Sequence, residues 1–423
     1  MRATLQTYDW IAFVARRMNR GMTTQPLPAV GAVAPRLVPL WRELAPLCAM
    51  VFLEFLAMGL PLSVLPVRVH EGIGFGTFVV GLTVGAASWA TLLTRHAAGT
   101  RSDRHGPRGA ATLGLALSAL AGLLYALSSA VPGRAASLAV LLAGRAVLGL
   151  GESLVVTGAL AWGVSLAGRE RSGIVMAWVG IAMYGALAAG APLGAALETG
   201  AGFVGVSLAS AVAPALGLAA AALVRPVEPA GGARLPFHRV AALIALPGAG
   251  LALTALGFGA IAGFAALHFR EQGWAHAPLV MSAFGAAYVL ARVAFGRLPD
   301  RLGGARVAAA SSAVAALGQL GLWLATSGGQ AVAAAALTGF GFSLAFPSFG
   351  VEAIRRVPPQ NRGVALGAYA ASFDLAMGVG APLLGAVVGV FGGSAAFAVG
   401  ALGAVASLAI ALSLTARAPA PPA

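Results

Sequence analysis

Long apolar stretches separated by short, basic segments dominate the chain between residues 44 and 415. Residues 109–131 and 395–415 contain no charged side chain. A helix that crosses a bilayer needs about 20 consecutive, mostly apolar residues. The pattern therefore predicts twelve spans, numbered 1 to 12 in chain order: 44–66, 77–98, 109–131, 135–163, 173–196, 203–224, 241–267, 278–298, 306–326, 331–352, 363–390 and 395–415.

Each span is expected to be helical, because unpaired backbone groups cannot face lipid and the apolar runs lack the alternation of a membrane barrel. Small residues spaced four apart let helix backbones approach closely. Such pairs are Gly81 and Gly85, Gly259 and Gly263, and Gly385 and Gly389. The predicted class is an all-α membrane protein.

Composition excludes a soluble globule, since 59% of the 423 residues are hydrophobic and 9% are charged, against about a quarter charged in soluble domains. The net charge of +14 comes entirely from arginine. These arginines separate apolar segments, so a nucleic-acid partner is not expected. The single cysteine, Cys48, cannot form an intrachain disulfide, and the six histidines show no metal-ligand spacing. We expect no metal and no cofactor.

Arginine placement predicts the orientation, because cytoplasmic loops carry an excess of basic residues. Of the loop arginines, only Arg68, Arg134 and Arg270 fall on one side. The opposite side carries 21: six before residue 44, then Arg101, Arg104, Arg108, Arg169, Arg171, Arg225, Arg234, Arg239, Arg297, Arg301, Arg306, Arg355, Arg356, Arg362 and Arg417. Both termini are predicted to be cytoplasmic, with residues 1–43 as a basic arm and 417–423 as a tail.

An internal repeat divides the chain into two halves. Residues 95–106 match 292–303 in Arg, Gly, Asp-Arg and Gly at an offset of 197, and 190–193 match 380–383 at an offset of 190. Between them, 225–240 is rich in Pro and Gly and is predicted to be a cytoplasmic linker. A duplication of two six-helix bundles, 44–224 and 241–416, accounts for the pattern.

The repeated stretch between spans 2 and 3 resembles the signature of the major facilitator superfamily. Its residues are Gly99, Asp103, Arg104, Gly106 and Arg108, with a second copy at Gly296, Asp300, Arg301 and Gly303. Gly99 is expected to permit close helix approach. The resemblance implies a cytoplasmic latch that breaks and re-forms during alternating access; the alternative is a tight basic turn that reports topology only.

Span 4 carries Arg145, Gly149 and Glu152 on one helical face. Arg145-x-x-x-Gly149 resembles the superfamily's fourth-helix motif, and the resemblance implies a role in proton coupling in exporters. A charge near mid-bilayer costs about 2.5 to 3.5 kcal/mol, so both charged residues should face a partner or a wet cavity. The alternative is a buried charge network that only holds helices together.

A glycine and proline pattern in span 5 resembles a motif associated with superfamily antiporters. It comprises Gly185, Gly190, Pro192 and Gly194, and Gly380 and Pro382 repeat it in span 11. Proline removes a helix hydrogen bond, so a kink or a pliable contact is expected. Packing alone is the competing interpretation.

Two isolated carboxylates, Glu54 in span 1 and Asp374 in span 11, are candidate proton carriers. Asp374 lies far in sequence from any loop arginine and is expected to line the central cavity. For Glu54, an ion pair with Arg145 is the structural alternative. His268, at the end of span 7, could face the cavity, although an interfacial position is commoner.

Further segments resemble the YhhS-type group of bacterial inner-membrane facilitators, whose members are labelled as sugar or drug efflux permeases, and the resemblance implies a bacterial inner membrane. They are 59–66 with 69–71, 341–347, 357–361 and 373–375, and the resemblance covers nearly all of 44–416. It implies a monomeric secondary transporter that exports a small organic molecule against proton entry. Proton-coupled import and a non-transporting membrane sensor are the alternatives. An enzyme is not expected, since no nucleophile motif or metal pair is visible.

Overall fold

The structure is a computed structural model that describes residues 40–168, 171–227, 237–357 and 362–416. The predicted tail at 417–423, most of the basic arm and most of the linker therefore lie outside the described residues, as do Arg169, Arg234 and 358–361. Within the described ranges the chain is helical and contains no strand.

Ten long helices carry the predicted spans. They are Leu40–Leu62, Thr77–Ala130, Arg134–Ala167, Ser172–Ala222, Ala245–Glu271, Pro278–Phe295, Gly304–Trp323, Gly328–Ile354, Arg362–Phe391 and Ala395–Ala416. Three short helices (Leu65–Val67, Phe237–Leu243 and Leu298–Leu302) and a π-helical turn at Arg68–Gly72 connect them. The helix Thr77–Ala130 contains spans 2 and 3, and Ser172–Ala222 contains spans 5 and 6, which gives the twelve predicted spans.

Glycine makes the sharp turn inside each of these two double-length helices. Gly106 has φ 81° and ψ 154° between spans 2 and 3, and Gly202 has φ 62° between spans 5 and 6. Gly303, the repeat equivalent of Gly106, has nearly the same backbone, with φ 90° and ψ 141°. Residues with a Cβ rarely adopt this region. The repeated glycine is therefore explained by the same turn in both halves.

The two halves meet along two symmetric helix pairs, spans 2 and 11 and spans 5 and 8. Gly81 and Gly85 of span 2 lie against the backbone of span 11 at Ala381 and Gly378, and Gly285 of span 8 lies against the carbonyl of Tyr184 in span 5. Hydroxyl groups also join the pairs. Thr77 donates to the Gly385 carbonyl at 2.7 Å and Ser282 donates to the Ala188 carbonyl at 2.9 Å. Small residues thus allow backbone contact between the halves, as the spacing of Gly81, Gly85 and Gly385 predicted.

The turn geometry predicts that Gly303→Ala lowers the thermal unfolding midpoint of the purified protein, because alanine at a φ of 90° is strained by about 1 to 3 kcal/mol. Gly329→Ala is the matched control. Neither position has a neighbouring atom within 4 Å of an added Cβ, but Gly329 has no positive φ. Equal midpoints for the two variants would contradict this explanation of the turn.

Candidate functional site

Six charged residues lie well inside the spans and form what we call the intramembrane charge set. They are Glu54, Arg95, Arg145, Glu152, Arg292 and Asp374. Four of them are almost completely buried, with exposed fractions of 2% for Glu54 and Asp374, 4% for Arg145 and 8% for Arg292. Charged side chains at such depth need partners, so their contacts are informative.

Arg145 joins span 4 to span 2. Its Nε donates to the Thr83 carbonyl at 3.0 Å, and its Nη2 donates to the Val84 carbonyl at 2.9 Å. This reach depends on Gly149, where an added Cβ would collide with the Ala87 carbonyl of span 2. Arg145 and Gly149 therefore act together, because the glycine brings the helices close enough for the guanidinium to reach backbone oxygens.

Glu54 is bound by a hydroxyl group instead of by Arg145. Ser118 of span 3 donates to its Oε1 at 2.5 Å, and its Oε2 is buried without a hydrogen-bond partner. Arg145 instead donates to carbonyls and, at 3.5 Å, to the hydroxyl of Tyr125. The alternative of a Glu54–Arg145 ion pair is therefore wrong for this structure.

Glu152 lies between the two ends of the charge set. Thr91 of span 2 donates to its Oε2 at 3.4 Å and to the Gly149 carbonyl at 2.9 Å. Glu152 also lies within electrostatic range of Arg145, Arg95 and Asp374, and Glu54 lies within range of Glu152. The three carboxylates therefore form a series from span 1 through span 4 to span 11.

Asp374 forms an ion pair that crosses between the halves. Its Oδ2 is 2.7 Å from Nε and 2.5 Å from Nη2 of Arg95, at a sequence separation of 279 residues. Asp374 is far in sequence from any loop arginine, but the contact of spans 2 and 11 brings Arg95, an arginine inside span 2, to it. Arg95 was missed as a site residue, although it is the first matched position of the repeated stretch.

Arg292, the repeat equivalent of Arg95, was also missed. Its Nη2 donates to the hydroxyl of Tyr288 at 2.6 Å. Tyr288 in turn stacks on Tyr184 of the other half, with ring centroids 3.8 Å apart. Buried rings surround this contact. Arg292 therefore lies among aromatic side chains, whereas Arg95 lies beside the carboxylate of Asp374.

The halves are also joined at the arginine-poor end, where Arg68, Arg134 and Arg270 lie. Glu71, beyond span 1, accepts from Arg270 of span 7 at 2.9 Å, and both side chains are exposed. His268 is at the same end, away from the charge set. Its ring packs edge-on against Trp274 and Phe397 and lies 3.7 Å from Glu271.

The signature residues lie at the opposite end. Asp103 is half-buried, and the side chains of Arg104, Arg108, Asp300 and Arg301 are exposed. An added Cβ at Gly99 would meet no described atom within 4 Å, so the close approach expected there is absent. Gly296 ends span 8 with an ordinary helical backbone.

Gly190 and Gly194 of the span 5 motif make contacts within one half, whereas an added Cβ at Gly185 would lie 4.0 Å from Val289 of span 8 in the other half. An added Cβ at Gly190 would lie 2.6 Å from the backbone of Gly59 in span 1, and one at Gly194 would overlap the Leu60 carbonyl. Gly380 packs against the side chain of Leu256 in span 7, and not against its backbone. The helix continues through Pro192, since Gly202 is where the backbone of Ser172–Ala222 departs from helical geometry. The motif therefore makes a close contact with span 1, and the helix is not broken at Pro192.

Among the residues that the structure describes, no three His, Cys, Asp or Glu side chains lie close enough together to hold a metal ion.

Comparison with known proteins gives the family. The model of the Major Facilitator Superfamily matches residues 47–267 and 240–423. The chain belongs to the major facilitator superfamily. Two relatives are named uncharacterized MFS-type transporters. The one from Pseudomonas aeruginosa is 43% identical over 86% of this chain and 91% of the relative. The one from Burkholderia mallei is 41% identical over 89% of this chain and 92% of the relative.

Solved facilitator structures share the fold. The human organic anion transporter MFSD10 is 17% identical with a TM-score of 0.63, covering 88% of this chain and 100% of that one. A mutant of the nucleoside transporter NupG is 15% identical with a TM-score of 0.64, covering 88% and 98%. Membership of the superfamily makes this facilitator a multi-pass membrane transporter of small molecules and not an enzyme, and its fold has twelve spans in two related bundles.

The buried ion pair of this facilitator predicts a non-additive stability cycle. Arg95→Gln or Asp374→Asn alone leaves one buried charge unpaired, at a cost of about 3 to 5 kcal/mol, whereas the double variant removes both charges. We expect each single variant to unfold at a lower temperature than the double variant in detergent. Additive losses would show that the pair does not contribute to stability as a unit.

Proposed function

We propose that this facilitator is a proton-coupled secondary transporter that exports a small organic molecule by alternating access. The bundles 44–224 and 241–416 rock about a central site, with both termini on the cytoplasmic side of a bacterial inner membrane. The protein works as a monomer. The positions of the 21 loop arginines support this orientation.

The observation that carries the proposal is the ion pair between Arg95 and Asp374, which joins spans 2 and 11 across the two halves. Separating the halves at this level breaks the pair and leaves two charges where water is scarce. Breaking a buried pair by removing one partner costs about 3 to 5 kcal/mol. A proton on Asp374 removes its charge, so proton uptake and separation of the halves favour each other.

Glu152 and Glu54 extend the proton pathway from this ion pair into the first half. Glu152 is within electrostatic range of Asp374, and Glu54 is within range of Glu152. The free Oε2 of Glu54 offers a position for a proton. Arg145 holds spans 2 and 4 together beside this series, which gives it a positioning role in the coupling.

The flanking motifs serve the motion in this proposal. The signature residues Gly99, Asp103, Arg104, Gly106 and Arg108, with their copy at Gly296, Asp300, Arg301 and Gly303, form the cytoplasmic latch. The contacts of Gly190 and Gly194 with span 1, and of Gly380 with span 7, hold span pairs together as each bundle turns. The ion pair between Glu71 and Arg270 closes the arginine-poor end. His268 lies at this end, at the edge of the proposed proton pathway.

Proton flux in liposomes with an imposed pH gradient tests the coupling, using a compound selected by its stabilisation of the purified wild-type protein. We expect substrate-dependent proton flux to fall at least about tenfold in Asp374→Asn and in Arg145→Ala, because each loses a group that links the proton to the moving interface. Glu352→Gln is the matched control. It is also an acid-to-amide change, but the hydrogen-bond partners of Glu352 among the described residues, Ala305 and Arg355, belong to its own half. Unchanged flux in both test variants would overturn the assignment.

Flux direction in inverted vesicles separates export from proton-coupled import, which the same charge set could support. A membrane sensor would show saturable binding with no counterflow. Substrate accumulation inside inverted vesicles that are acidic inside supports export, and depletion under the same gradient supports import.

A further inference from the structure

The charge set is unequal in the two halves of the repeat. Arg95 has Asp374 as a partner, whereas Arg292, at the equivalent position, has no described carboxylate within 4 Å. The position that corresponds to Asp374 at the offset of 190 is Tyr184. A phenol thus stands where the other interface has a carboxylate, and Arg292 has no ion-pair partner among the described residues.

Burial makes this unpaired charge costly. Arg292 is 8% exposed, and its Nε is buried without a hydrogen-bond partner. Its known partner is the hydroxyl of Tyr288, one turn back along span 8 toward the membrane centre. Glu152 lies within electrostatic range of Tyr184, but the hydrogen bond that its carboxylate accepts comes from Thr91. A buried arginine with an unused donor is suited to bind an anion from outside the chain.

The surroundings of Arg292 specify the rest of such a ligand. Six rings from both halves form a connected group with centroids 3.8 to 6.3 Å apart, which we call the ring cluster: Tyr184, Phe258, Phe284, Tyr288, Phe342 and Phe373. Ring faces and edges stack well on flat apolar groups.

We propose that Arg292 and the ring cluster form the substrate site, and that the substrate is an aromatic carboxylate. This proposal rests on the transport function above and names its substrate class. The planar guanidinium binds a carboxylate through two parallel hydrogen bonds, using its free Nε and displacing the Tyr288 hydroxyl. The aromatic body of the substrate takes the place of the Tyr184–Tyr288 stack, so it binds when the halves separate and bridges them.

Equilibrium binding to the purified protein tests this with naphthalene-2-carboxylate and its neutral amide, naphthalene-2-carboxamide. We expect the wild-type protein to bind the carboxylate at least about tenfold more tightly than the amide. Arg292→Gln should abolish the preference, and Arg292→Lys should weaken carboxylate binding while leaving the amide unchanged, because lysine keeps the charge and lacks the planar fork. Arg297→Gln, an exposed arginine near the same helix end, is the control and should keep the wild-type preference.

Equal affinity for the two compounds, no carboxylate binding, or a preference that survives in Arg292→Gln would overturn the proposal. If Arg292→Gln does not fold, carboxylate affinity in Arg292→Lys decides, and a value equal to that of the wild type counts against the site. Binding needs no gradient, so this result is independent of coupling. Carboxylate binding without proton flux would overturn the proposed function alone, and proton flux driven by a neutral compound would overturn this inference alone.

Discussion

The requirement that every charge inside the membrane has a partner organises the centre of this protein. Each charged side chain in the spans would destabilise the fold by several kcal/mol if it were left unpaired in a dry environment. Ser118 donates to Glu54, carbonyls of span 2 accept from Arg145, and Arg95 pairs with Asp374. Of these contacts, the ion pair alone joins one half to the other. A change of charge at this pair therefore acts directly on the contact between the halves.

Close packing allows these partnerships to form. The backbone of span 2 contacts span 4 at Gly149 and span 11 at Gly81, and any side chain at either glycine would push the helices apart. Arg145 would then lose the carbonyls of Thr83 and Val84, and Arg95 would lose Asp374. The glycine content is thus a condition for the charge set, since short side chains permit both helix contact and short polar distances.

Sequence reasoning reached the architecture and part of the site. Apolar run length and the requirement for internal backbone hydrogen bonds predict twelve helical spans, and the matched stretches predict two related halves. The spacing of Arg145 and Gly149 predicts that they share one helix face, because that relation is local. The partner of Asp374 is 279 residues away and depends on how spans 2 and 11 are rotated, which hydrophobicity does not encode. The same reason explains the incorrect pairing of Glu54 with Arg145 and the open space at Gly99.

In our account, the Arg95–Asp374 pair holds the arginine-rich ends of the two halves together until Asp374 is protonated. The most direct measurement is the distance between two spin labels attached to cysteines that replace His105 and Arg306. Both positions are exposed and lie in different halves at that end. The native Cys48 is replaced by serine so that it is not labelled. The account predicts that Asp374→Asn shifts the distribution to longer distances and that lowering the pH does the same in the wild-type protein. Identical distributions for wild type and Asp374→Asn at every pH would contradict it.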